Sequence, residues 1–110
     1  MSIVTFASRA VKIQFFEDDP VVITVFIGDE FDRKLVESAK LINAADKVAD
    51  LDERREKYMD SLRKLIGASA DEIMSRAEPA DSFSIMSVYM HISTAYAEAK
   101  RKNLSASVSR

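Results

Sequence analysis

Glycine and proline occur only four times in the 110 residues, and this scarcity constrains the fold more than any other feature. The four positions are Pro20, Gly28, Gly67 and Pro79. Because these two residue types are the strongest local interruptions of helices, the segments between them are free to form long ones. No glycine or proline lies between Asp29 and Ile66. The pattern predicts a mainly helical protein with its β-structure before Gly28.

Length and composition favour one globular domain. A chain of 110 residues, 47% hydrophobic and 31% charged, is typical of a single soluble domain. We assign that domain to residues 1–104. Leu104 to Arg110 is small and polar, and we predict a flexible tail over residues 105–110.

The residues before Gly28 have the pattern of a β-hairpin. In Ala10–Phe16 apolar side chains alternate with Lys12 and Gln14, and Val21–Ile27 is a run of β-branched and aromatic residues. A polar turn, Glu17–Pro20, separates the two segments. We therefore predict an antiparallel hairpin over about residues 10–27.

Two further expectations concern this hairpin. Ser2–Ala7 is a candidate for a short third strand. Phe16, Val22 and Phe26 place apolar side chains on the second face of the sheet. A lone hairpin is marginal in water, so helices must pack on one face, and helices or another subunit would cover the second.

Four helices are predicted after Gly28, over about residues 29–49, 51–66, 69–78 and 82–103. With the hairpin, they make an α+β fold that is mainly α. The first two helices are separated near Asp50, where Asp50 followed by Glu53 resembles a helix start. Asp29 is the predicted cap of the first helix, and Gly67 the predicted end of the second.

The third helix is predicted to begin at Ser69-Ala70-Asp71-Glu72, which fits a capping box. Asp81 or Ser82 is the predicted cap of the fourth helix. Apolar stripes at helical spacing give the predicted buried faces of the first two helices: Phe31, Leu35, Ala39, Ile42, Ala45 and Ala49 in one, and Leu51, Tyr58, Leu62 and Leu65 in the other.

The last helix is apolar over most of its circumference. Its polar residues occupy one narrow stripe: Ser84, Ser87, His91, Thr94, Glu98 and Arg101. Such a helix is usually buried on several sides, and in a chain this small part of the surface is available to a partner. The methionines and tyrosines of this region fit either a core or an adaptable partner groove, and core packing is the simpler interpretation.

No group of residues predicts catalysis, a metal site or a cofactor. His91 is the only histidine and has no acidic residue within a helical turn, so we interpret it as a partly exposed helix residue. Asp29, Glu30 and Asp32 are close in sequence, but helix capping explains them better than cation binding. With one histidine and no cysteine, we predict that the protein is not an enzyme.

Charge and hydropathy argue against nucleic acid and membrane as partners. The net charge is −2 and the basic residues form no patch, so phosphate binding has little support. The apolar N-terminus lacks the order of a signal peptide, and no apolar run approaches the ~20 residues of a membrane span. We expect a cytoplasmic protein, which the absence of cysteine suits.

The order of helices resembles that of the tail assembly chaperones of long-tailed bacteriophages and prophages. The resemblance covers about residues 29–102 and is carried by four segments: DEFDRKLVESAKLI, EKYMDSLRKLIG, SADEIMSRAEPAD and SFSIMSVYMHISTAYAEAK. It is a likeness in the order of elements, and the strands before Asp29 also resemble the β start of some members.

The resemblance implies a non-enzymatic function. Members of that family bind the tape measure protein during tail assembly, and many occur as a longer frameshift product that recruits the tail tube protein. We would expect an oligomer in the host cytoplasm, binding through the last helix at Ile85, Tyr89, Met90, Ile92 and Tyr96. The alternative is a small helical adaptor or dimerisation protein of bacterial or prophage origin, with no chaperone role.

Overall fold

The computed structural model describes residues 9–108, with side chains over residues 9–104. Two strands and four helices follow one another: β1 Ala10–Phe15, β2 Val21–Phe26, α1 Asp29–Ala45, α2 Leu51–Ile66, α3 Ser69–Ser75 and α4 Ser82–Val108. The predicted fold, an N-terminal hairpin followed by four helices, is confirmed. The candidate strand Ser2–Ala7 lies outside the described residues.

The hairpin has the predicted strands and turn. β1 and β2 pair antiparallel with Ala10 opposite Phe26 and Phe15 opposite Val21. One face is buried against the helices and consists of Val11, Ile13, Phe15, Val21, Ile23 and Val25. The turn contains two non-glycine residues in the left-handed region, Phe16 with φ 68° and Asp19 with φ 52°.

Three predicted helix ends are confirmed. The Asp50 carboxylate accepts a hydrogen bond from the backbone N–H of Glu53 at 2.9 Å, which caps α2. Gly67 ends α2 with φ 66°, a conformation that suits glycine because it has no Cβ. The Asp81 carboxylate accepts from the Ser84 N–H at 2.9 Å and caps α4.

Two predicted caps are wrong. Gly28 precedes α1 as its cap residue, and Asp29 is instead the first residue of the helix. Ser69 forms no capping box, because α3 follows Gly67 through a tight turn in which the Ala70 N–H donates to the Gly67 carbonyl at 3.0 Å. The neighbouring Asp71 binds Arg63 of α2 at 2.9 Å.

Three helices differ in length from their predictions. α1 ends at Ala45 and not near residue 49, because contacts with α2 hold the connection: the Tyr58 hydroxyl donates to Asp46, and Arg54 Nε donates to the Val48 carbonyl at 2.8 Å. α3 ends at Ser75, before the expected residue 78. α4 continues to Val108, so the predicted tail is helical over residues 105–108 and its flexibility stays a prediction.

The core forms where the hairpin, α2, α3 and α4 meet. Its fully buried side chains include Leu62, Leu65, Ile73, Ile85 and Ile92. Most residues of the two predicted apolar stripes are buried or packed against the core. The exceptions, Ala39, Ala49 and Leu51, are exposed, whereas Ser38 is buried and its hydroxyl donates to the Lys34 carbonyl. The dimensions of 62 × 33 × 18 Å describe a thin, elongated molecule.

Candidate partner-binding surfaces

The five residues predicted to bind a partner do not form one accessible surface. Ile85, Tyr89, Ile92 and Tyr96 are at most 8% exposed, since they form the inner face of α4 and pack in the core. Met90 alone is exposed, at 56%. In the single chain, this inner face of α4 therefore belongs to the core. A partner of the folded chain would contact the exposed residues of α4 instead.

A different set of residues gives α4 an exposed outer face. Phe83 is 80% exposed and Leu104 59%, and with Met90 and Ala97 they recur at every seventh position. We call these four residues the α4 outer stripe. A spacing of seven in a helix places side chains on nearly the same line, so this stripe was readable from the sequence. The sequence alone does not tell which face of α4 is buried and which is exposed, because both faces are apolar.

The hairpin also exposes apolar side chains. Val22 is 51% and Phe26 64% exposed on the face of β2 that points away from the helices. Phe16, the third residue expected on this face, is partly buried against the core. Within the described residues no helix covers Val22 or Phe26, so this face is open in the single chain.

An open groove of about 810 Å³ runs beside β2. We call it the β2 groove. One wall is Val22–Phe26 of β2, a strand that carries no charged residue and that, among the described residues, pairs only with β1. The rest of the lining combines the apolar side chains of Phe31, Leu65 and Ile66 with charged residues, which are Arg9, Asp29, Glu30 and Lys34. A strand edge that no other described strand pairs with, beside a wall of this mixed character, offers a partner backbone hydrogen bonds as well as apolar and charged contacts.

A hydrogen-bonded network fixes the base of the hairpin to α4. The Tyr96 hydroxyl accepts from the Gly28 N–H at 3.1 Å and donates to the Asp32 carboxylate at 2.8 Å. Lys100 Nζ binds the same carboxylate at 2.9 Å, and the Tyr96 ring lies 4.5 Å from that of Phe31. We call Gly28, Asp32, Tyr96 and Lys100 the base network.

The network perturbs the titration of its members. The hydrogen bond from Lys100, followed by that from Tyr96, lowers the pKa of Asp32. Asp32 raises the pKa of Lys100, and burial is the largest cause that raises the pKa of Tyr96. The charged groups of Asp32 and Lys100 are partly exposed. We therefore interpret the base network as a structural element and not as an acid–base pair.

A second contact holds the tip of the hairpin to the end of α3. The Arg76 guanidinium donates to the carbonyls of Asp19 at 2.6 Å and Asp18 at 3.0 Å. It also lies 4.3 Å from the centre of the Phe16 ring. We call this group the tip contact. No local pattern predicts this contact, because Arg76 is far from the turn along the chain.

The residues weighed for chemistry lie in separate environments. His91 is exposed on α4, and its ring meets that of Phe15 edge-on at 5.2 Å. Of the three neighbouring acids, Asp32 belongs to the base network, Glu30 lies 3.9 Å from Lys34, and Asp29 is exposed. Among the described residues no group of three His, Cys, Asp or Glu side chains is placed to hold a metal ion.

The most connected charged side chain is Arg63 of α2. It binds Asp71 of α3 at 2.9 Å as well as Glu56 and Asp60 of its own helix. Asp71 and then Glu56 raise the pKa of Arg63, and Arg63 lowers that of Asp71. Of these pairs, only the one with Asp71 links α2 to α3, and its exposure keeps its contribution to stability small.

Comparisons with protein-family models, with curated proteins and with solved structures returned no match. No described helix is both long enough and apolar enough to cross a membrane. The features available for an argument about function are therefore the β2 groove and the α4 outer stripe.

Proposed function

We propose that this protein is a non-enzymatic phage tail assembly chaperone that binds the tape measure protein and promotes assembly of the tail tube in the host cytoplasm. The β2 groove is the observation that supports the proposal best. A chaperone must hold apolar segments of a client without covalent chemistry, and this groove combines apolar side chains of β2, α1 and α2 with a strand edge that no other described strand pairs with.

The physical role follows from the nature of the client. A tape measure protein exposes long apolar surfaces until tube subunits surround it, and such surfaces aggregate when they are uncovered. An extended or apolar client segment beside β2 would cover Val22 and Phe26 while its own apolar side chains leave water. The tail tube protein is the second partner that this proposal includes.

Co-expression with the tape measure protein encoded next to this gene tests the proposal. The wild-type chain should increase the soluble fraction of the tape measure protein and should co-purify with it. Phe26→Ser should weaken both effects, because it removes the most exposed apolar side chain of the hairpin. Val36→Ser is the matched control, since Val36 is 55% exposed on α1 and does not line the groove.

Equal solubility of the tape measure protein with and without the wild-type chain would contradict the chaperone role. If Phe26→Ser and Val36→Ser reduced the soluble and co-purified tape measure protein equally, the groove would not be the binding surface. Circular dichroism and thermal melting of both variants establish that each is folded before the two are compared.

The second candidate is a small helical adaptor or dimerisation protein with no chaperone role. The α4 outer stripe favours it, because an exposed stripe of seven-residue spacing suits pairing with another helix. The DNA beside the gene separates the two candidates. A slippery heptamer at the 3′ end followed by a very long helical reading frame supports the chaperone, and a neighbourhood without tail genes supports the adaptor.

A further inference from the structure

The α4 outer stripe faces away from the rest of the molecule. Ile85, Ile92 and Tyr96 turn towards the core, whereas Phe83 and Met90 project from the opposite side of the helix. Their seven-residue recurrence, continued by Ala97 and Leu104, supplies one of the two positions in each heptad through which helices pair. Nothing described in the chain contacts this stripe.

The same helix carries both a projecting side chain and a depression that fits it. A shallow depression on α4 is lined by Ser93, Thr94, Ala97, Glu98 and Arg101. Four of these, Thr94, Ala97, Glu98 and Arg101, have the spacing of the four residues that form a hole in knobs-into-holes packing. Ala97 gives this hole a small floor, and Phe83 is a large exposed knob.

Charge along α4 specifies the direction in which two copies would pair. Residues 82–97 contain no Asp, Glu, Lys or Arg. Glu78 and Asp81 lie just before this segment, and Glu98, Lys100, Arg101 and Lys102 lie just after it. Although Glu98 pairs with Lys102 at 3.1 Å, the later group is net basic. Antiparallel pairing brings the acidic start of one helix to the basic end of the other, whereas parallel pairing brings like charges together. The helix dipoles also favour the antiparallel arrangement.

We propose that two copies of this chain form an antiparallel dimer through their α4 outer stripes, with Phe83 of each copy in the Thr94–Ala97–Glu98–Arg101 depression of the other. This register places Met90 of both copies at the two-fold axis. It also places Arg101 and Lys102 of one copy beside Glu78 and Asp81 of the other. Knob and hole lie on one helix, so the surface is complementary to itself, as a two-fold interface requires.

Molar mass in solution tests the dimer. Sedimentation equilibrium from micromolar to millimolar concentration should give about twice the chain mass of 12.3 kDa for the wild type. Phe83→Ser, which removes the knob, and Ala97→Leu, which fills the hole, should each shift the dissociation constant at least tenfold towards monomer. Val36→Ser, an exposed apolar control outside α4, should not.

A wild-type chain that stays monomeric at millimolar concentration overturns the proposal. A dimer that Phe83→Ser and Ala97→Leu leave unchanged overturns it as well. Since both changes affect exposed positions, the circular dichroism spectrum should be that of the wild type, and an altered spectrum would require the comparison to be repeated with Phe83→Ala.

Spin labels test the direction, and the absence of cysteine in the chain makes single-cysteine labelling clean. With Met90 at the axis and a rise of 1.5 Å per residue, labels on Ser87→Cys should be offset by about 9 Å along the helices and those on Lys102→Cys by about 36 Å. Short distances at both positions would indicate parallel pairing and contradict the proposed arrangement. The dimer test does not involve the tape measure protein, so its outcome is independent of the chaperone proposal.

Discussion

The two ends of the hairpin are held to the helices in different ways. At its base, a mostly buried tyrosine joins a backbone amide and a carboxylate, and its ring packs against Phe31. At its tip, an exposed guanidinium lies on the Phe16 ring and binds two backbone carbonyls. Both ends make hydrogen bonds of similar length, but only the base combines them with burial.

This difference indicates where the hairpin is anchored. Hydrogen bonds contribute most where breaking them leaves a buried group without a partner, and exposed charged contacts contribute little because water replaces them. The base should therefore control global unfolding, whereas the tip should control only local opening of the turn. Five predictions test that contrast.

The largest effect is expected from Tyr96→Ala. It removes a side chain that is 2% exposed, together with its contact to Phe31, and leaves a cavity beside α1. Replacing a large buried aromatic side chain by alanine typically costs about 3–5 kcal/mol. Urea unfolding should show this loss, and a loss below about 1 kcal/mol would mean that the base is not an anchor.

Tyr96→Phe isolates the hydroxyl of the base network. It keeps the ring and leaves the Gly28 N–H and the Asp32 carboxylate without their shared partner. We expect a loss of about 1–3 kcal/mol in the free energy of unfolding. In a double-mutant cycle with Asp32→Asn, the two losses should not add, whereas additive losses would show that the groups act independently.

Phe16 tests the strain at the tip. Its φ of 68° is unfavourable for a residue with a bulky side chain and acceptable for glycine. Phe16→Ala and Phe16→Gly both remove the ring contact with Arg76, but only glycine also relieves the backbone. Phe16→Gly should therefore be more stable than Phe16→Ala by about 1 kcal/mol. The reverse order in thermal unfolding would contradict a strained turn.

Arg76→Ala should have a smaller effect on global stability, of about 1 kcal/mol or less, because its contacts are exposed. Hydrogen exchange should nevertheless quicken in the amides of the turn and not in α2 or α4. Exposed Arg101, on α4, provides a control, and Arg101→Ala should leave exchange in the turn unchanged.

The smallest effect is expected in acid. The pKa of Asp32 is lower in the folded protein than the ordinary value of 3.8, so its contribution to stability is complete above that value and is lost as the pH falls through the folded pKa. Partial exposure screens the effect. Unfolding free energies from pH 5 to pH 2 should therefore fall more steeply for the wild type than for Asp32→Asn, and parallel curves would contradict this assignment.

Local signals in the sequence were sufficient for the order of elements and for several helix ends. Alternation with Lys12 and Gln14 specified which face of β1 is buried, and Asp50, Gly67 and Asp81 mark helix ends by their own backbone or capping chemistry. The predicted capping box at Ser69 failed for a physical reason. Gly67 already turns the chain into α3, so that Ala68, and not Ser69, is the residue that precedes the helix.

The candidate surfaces could be predicted only in part. The α4 outer stripe was present in the sequence as a seven-residue spacing. When a helix is apolar over most of its circumference, however, the sequence does not show which of its faces packs against its own domain. Ile85, Tyr89, Ile92 and Tyr96 were consequently assigned to a partner although they pack in the core. The base network and the tip contact join residues that are distant in sequence, which no local pattern encodes.

The base network also has a consequence for the time course of folding on the ribosome. Gly28 and Tyr96 are 68 residues apart, so the β-hairpin is synthesised well before the tyrosine that holds its base. At elongation rates of about 5–20 residues per second, this interval lasts roughly 3 to 14 s. Throughout it the apolar inner face of the hairpin lacks the helix that packs on β1, and a nascent chain is therefore most prone to aggregation through that face before its last helix emerges.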